Sequence, residues 1–112
     1  MARTGPVPTS SLPGVRQAGG MYLVLEYDLV DDYLERRPKF REEHLGLARS
    51  AHERGDLALA GALAEPSDRA LLVWSTEDRA VVEAFAAADP YVRNGLVREW
   101  RVRDWNVVVG AG

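Results

Sequence analysis

Two side chains in this sequence have the chemistry to pass a proton near neutral pH while each holds the other in place: His44 and Asp89. Imidazole is the one side chain whose ordinary pKa suits proton transfer close to neutrality. A carboxylate beside it fixes its tautomer and stabilises its charged form. His44 shares a helical face with Phe40, Leu47, Ala48 and Ala51 at spacings of three and four, so it faces inward. Asp89 continues the inward stripe of a second helix from Val82 and Phe85, in the stretch ADPYVRNG. If both helices cover the same sheet, the two groups converge at one end of the layer. Each also has a simpler reading, His44 as a satisfied core histidine and Asp89 as a cap on the Asn94–Gly95 turn. Arg41, one turn before His44, is placed to bind an anionic substrate or to sit on a solvated surface. His52 stands beside Glu53 and Arg54 and reads as a surface residue.

The elements that must position these groups are legible from periodicity. MYLVLEYD, from Met21 to Asp28, is rich in aromatic and branched residues and predicts a central strand. A short helical turn is expected around Asp31 to Arg37. The main helix then runs from about Pro38, in a first-turn position, to Arg54, with Gly55 as its stop. LALAGALA, Leu57 to Ala64, predicts a second strand in which Gly61 marks a bulge or a close approach. The turn EPSDR leads to a third strand, Ala70 to Ser75. A second helix is expected from Thr76, Glu77 and Asp78, whose acids suit the positive end of the dipole, to about Asp89. A long last strand spans Val97 to Val109.

This order predicts an α+β, ferredoxin-like βαββαβ layer: a four-stranded antiparallel sheet with two helices on one face. The other face needs a cover. Trp100 and Trp105 lie an odd number of positions apart and so point to opposite sides of the last strand. Sheet-to-sheet pairing of two copies, a homodimer, would bury the second face. The alternative is a Trp turned back by a bulge. Residues 1–20, with prolines at 6, 8 and 13, are expected to form a flexible tail, and residues 21–112 the domain.

Composition narrows the function classes. The 112 residues suit a single domain, and 46% apolar with 28% charged residues is ordinary globular composition. A formal charge of −3 argues against nucleic acid or an anionic membrane as partner. The absence of cysteine excludes disulfides, thiolate metal sites and a cysteine nucleophile. No apolar run approaches the ~20 residues of a membrane span, and a cytoplasmic location is expected. No phosphate loop or metal-binding pattern is present, so neither metal nor cofactor is expected, with haem on His44 a weaker alternative.

Four segments, in order, resemble the YciI-like (YCII-related) family. These are MYLVLEYD; Arg41 through His44 and Leu45; ERGDLALAGAL, matching at Glu53, Gly55, Leu57 and Gly61; and Ala88, Asp89, Pro90 and Tyr91 followed by Gly95. They span Met21 to about Val109. The family's proline after the strand glycine is Ala62 here, and its proline two before the histidine is Glu42. The resemblance implies a ferredoxin-like domain, usually dimeric, with a histidine and an aspartate at its active site. These correspond to His44 and Asp89, with Tyr91 and Arg41 as accompanying pocket residues. It implies cofactor-independent acid–base chemistry of lyase, isomerase, cyclase or dehalogenase type on a small carbonyl-containing or anionic molecule. The alternative is a non-catalytic dimer that binds a small ligand or a partner protein.

Overall fold

A strand buried on both faces forms the centre of the computed structural model, which describes residues 21–110. In β1 (Met21–Leu29), every residue from Tyr22 to Leu25 is buried, as the nearly continuous apolar run requires. It is followed by α1 (Tyr33–Arg36), α2 (Pro38–Glu53), β2 (Leu57–Ala62), β3 (Arg69–Trp74), α3 (Arg79–Ala88), α4 (Pro90–Arg93) and β4 (Val97–Asn106). The sheet order is β2-β3-β1-β4 and all pairings are antiparallel, giving the expected ferredoxin-like α+β layer.

Pairing register decides which side chains meet the helices. Leu25 lies between Leu72 and Val102, and Tyr27 between Ala70 and Trp100. These residues join Val82, Phe85 and Ala86 of α3 and Ala48 and Ala51 of α2 in one core. Trp100 packs against that core while Trp105 is 48% exposed, the opposed pointing that their spacing predicts.

The turns from α2 into β2 and from α4 into β4 use glycine where an L side chain would be strained. At the end of α2, Gly55 has φ +87°, its amide donating to His52 and that of Asp56 to Ala51. After α4, Gly95 has φ +79°, and the Leu96 amide donates to Tyr91. Each is a left-handed helix stop that satisfies carbonyls the helix leaves unpaired.

Several boundaries differ from the sequence-based expectation. The third helix begins at Arg79, because Asp78 is the better cap: its side chain accepts from the Ala80 amide. Thr76 instead accepts from the Asp78 amide in the approaching turn. The second strand ends at Ala62 and the last at Asn106, whose partner is Met21. The bulge in β2 falls between Leu57 and Leu59 rather than at Gly61. A Cβ added at Gly61 would meet nothing within 4 Å, so no group approaches closely there. The expected tail, residues 1–20, lies outside the described residues.

Leu25, with no exposed surface, sits where both sheet neighbours and the helices press on one side chain. Leu25→Ala should lower stability by about 2–5 kcal/mol in urea unfolding. Val108→Ala, at a position 77% exposed, should change it by about 0.5 kcal/mol or less.

Candidate functional site

Helix α2 delivers a row of side chains, most of them polar, to one cavity. Arg37 is the cap of α2, and Arg41, His44, Ala48 and His52 follow at steps of three or four, so they lie along one face. With Leu45 and Arg49 they form one wall of a cavity of about 460 Å³. The opposite wall is β2, where Ala58, Ala60, Gly61 and Ala62 leave room that larger residues would fill. Tyr27, Tyr33 and Tyr91 close the end near His44.

Asp89 is fully buried where α3 ends and α4 begins. Pro90 occupies the first position of α4, where a missing amide costs nothing. The chain therefore breaks and restarts around the carboxylate. Three donors satisfy it: the Tyr27 hydroxyl at 2.7 Å, the Tyr91 amide at 3.0 Å, and His44 Nδ1 at 2.9 Å from Oδ1 and 3.0 Å from Oδ2. A buried carboxylate without such partners would be strongly disfavoured.

His44 is held on its ring face as well as at its edge. The Tyr91 ring stacks on it at 4.0 Å and 11°, and Phe85 meets it edge-on at 6.5 Å. Because Nδ1–H donates to Asp89, the neutral ring carries its lone pair on Nε2. That nitrogen is the one left for a molecule in the cavity. The His44 side chain is 14% exposed, shielded yet reachable.

All four residues singled out in the sequence thus meet. His44 and Asp89 touch, Tyr91 stacks on His44, and Arg41 lines the same cavity. Asp89 does act as a cap, but on α4 through Tyr91 rather than on the Asn94–Gly95 turn. That turn is held instead by the Arg36 guanidinium, which donates to the Asn94 and Gly95 carbonyls. Sequence reasoning missed Tyr27, whose inward position in a strand reads as core. It also missed Arg37 and Arg49. His52 is exposed, as expected, but lines the cavity's far end, with Nδ1 2.8 Å from the Leu57 carbonyl. Among the described residues, no three His, Asp or Glu side chains gather as a metal site. No helix among them is long and apolar enough to cross a membrane.

The YCII-related domain model matches residues 21–106. The chain belongs to that family. Among solved structures, this YCII-related chain is similar to the 5-chloro-2-hydroxyhydroquinone dehydrochlorinase of Burkholderia phenoliruptrix, in complex with 2,5-dihydroxybenzoquinone. The two are 17% identical with a TM-score of 0.60, over 76% of this chain and 92% of that one. It is also similar to a protein of Agrobacterium tumefaciens at 18% identity and TM-score 0.50, over 76% of this chain and 90% of that one. These likenesses are in fold. No protein of curated function matches the chain.

Burial, and then the charge and hydrogen bond of Asp89, hold the Tyr27 hydroxyl far above the usual tyrosine range. Burial also raises Tyr91, with Tyr33 and Asp89 adding to the effect and Arg41 and Arg37 opposing it. The folded protein therefore keeps the Tyr27 proton after the unfolded chain, with an ordinary pKa of about 10, has lost it. Stability from this proton is complete below pH ~10 and falls as pH rises past it. In urea unfolding above that pH, the wild type should lose stability more steeply than Tyr27→Phe, by about 1.4 kcal/mol per pH unit. At pH 8 the same variant should be less stable by about 1.5–3 kcal/mol, having lost a donor to a buried charge.

Proposed function

We propose that this YCII-related protein is a small-molecule enzyme in which His44 moves a proton to and from its substrate through Nε2. The observation that carries this reading is the contact of His44 Nδ1, at 2.9 Å, with a carboxylate that has no exposed surface. Asp89 orients the ring and stabilises the imidazolium formed when Nε2 takes a proton. Tyr27 and the Tyr91 amide keep the carboxylate in place throughout.

The reaction best suited to this arrangement is removal of a proton next to a carbonyl or from an acidic hydroxyl. The electron pair left behind either expels a leaving group from the neighbouring carbon or takes a proton back elsewhere. The first outcome is elimination and the second isomerisation. Both use residues of this chain alone, His44 first as base and then as acid. That a protein of similar fold is a dehydrochlorinase bound to a dihydroxybenzoquinone makes a hydroxylated ring a sensible first substrate. Arg41 and Tyr91 would bind and orient the molecule.

The same reading includes a homodimer. On the sheet face away from the helices, Leu59 is 66% and Trp105 48% exposed, and a second copy pairing there would cover both.

Release of chloride from 5-chloro-2-hydroxyhydroquinone and deuterium uptake into 2-oxo acids and cyclic diketones in D2O provide the test. Turnover is expected for at least one of these, and His44→Gln should reduce it by about 10²–10⁴-fold. Asp89→Asn should reduce it too. A His44→Gln protein as active as the wild type would end the assignment. A compound that binds at the cavity and is recovered without exchange or elimination, with no other compound turned over, would favour a ligand-binding protein instead.

A further inference from the structure

We propose that Arg37 and Arg41 together take a carboxylate group of the substrate, so that the molecule turned over at His44 is a small organic carboxylate. This rests on the proposed reading of the His44 cavity and deepens it by naming what the cavity selects.

The first support is a difference among the arginines. Arg36, Arg54, Arg69, Arg79, Arg93, Arg98 and Arg101 each pair with an aspartate or glutamate within 4 Å. Among the described residues, Arg37, Arg41, Arg49 and Arg103 pair with none, and the first three of these line the cavity, where no paired arginine does. No aspartate or glutamate lines it. A chain of net charge −3 thus gathers three unneutralised guanidinium groups around one concave site.

The second support is that the arrangement is unfavourable without an anion. Arg37 and Arg41 lie one turn apart, where like charges repel. They also sit at the start of α2, whose first turn holds no acid to match the positive end of the dipole. Arg37 is drawn in over the Tyr33 ring, 5.5 Å from its centroid, and its Nε is shielded with no acceptor among the protein's groups. An anion placed between the two guanidinium groups removes each of these penalties.

The third is the match between wall and ligand. Guanidinium offers a planar fork that takes a carboxylate through two parallel hydrogen bonds. The lining holds no serine, threonine or lysine of the kind that commonly completes a phosphate site, and the β2 side chains along its far wall are all apolar. Arg41 precedes His44 by three residues, a rise of about 4.5 Å along the helix. A carboxylate held by the pair therefore puts the carbons next to it within reach of Nε2.

The probe is benzoate, followed by backbone amide shifts of Gly61 and Ala62, beside its neutral counterpart benzamide and inorganic phosphate. Benzoate should bind at least about tenfold more tightly than benzamide, and Arg37→Gln should weaken benzoate by about tenfold while leaving benzamide unchanged. Arg41→Gln provides the second variant should Arg37→Gln not fold, and Arg98→Gln, a surface arginine paired with Asp31, should bind benzoate as the wild type does. Equal binding of benzoate and benzamide, no benzoate binding, or unchanged affinity in the arginine variants would overturn the proposal. Phosphate binding more tightly than benzoate would overturn the carboxylate assignment. In His44→Gln, benzoate affinity should persist while turnover is lost. Turnover that depends on His44 without any preference for benzoate would leave the proton-transfer reading standing and remove this one.

Discussion

A carboxylate with no access to water constrains the rest of this structure. Asp89 can remain charged in the interior only if donors reach it from several directions, and those it has come from β1, α2 and α4. Tyr27 and His44 are separated from it by 62 and 45 residues. The hydrogen bonds therefore tie the central strand and α2 to the short helix that leads into the last strand. Removing any one donor leaves part of a buried charge unsatisfied, a far larger penalty than loss of an exposed ion pair. The surface pairs of Arg98 with Asp31 and Arg93 with Glu43 bear no comparable load.

The sequence ADPY is compact because each of its last three residues serves this carboxylate. Asp89 supplies it. Pro90 ends α3 and starts α4 at the position where its missing amide is no loss. Tyr91 then turns its amide to Oδ1 and its ring to the face of His44. One residue thereby fixes both members of the pair. Tyr33 in turn meets Tyr91 edge-on at 5.7 Å, so the stack continues into α1.

How much of this could be read beforehand follows from the range of each signal. The facing of His44 and Asp89 is local: each shares a helical stripe with apolar neighbours three and four positions away, and that stripe points to the sheet. Their convergence follows once the element order places both helices on one face. The Tyr27 hydroxyl has no such local signal, since an inward tyrosine in a strand looks like core and its partner lies 62 residues on. The four residues of α4 are too few for a period, although aspartate before proline is a helix start in miniature. His52 reads as surface because Glu53 and Arg54 follow it. The chain reverses at Gly55 and returns the Leu57 carbonyl to its ring, which sequence spacing does not reveal.

The electrostatics of the cavity follow from the same asymmetry. Asp89 is taken up by its three donors and presents no surface to the cavity, so it forms no ion pair with the arginines along α2. A carboxylate facing the cavity directly would compete with an anionic ligand for Arg37 and Arg41. Placed behind the imidazole, it is linked by hydrogen bond to the cavity side through His44. Two charges of opposite sign can thus serve one site without pairing with each other: the buried acid sets the ring, and the arginines remain available to whatever enters. The stacked Tyr91 ring lies against one face of His44 while Asp89 holds its Nδ1 edge, so the two fix the orientation of the ring in the cavity wall.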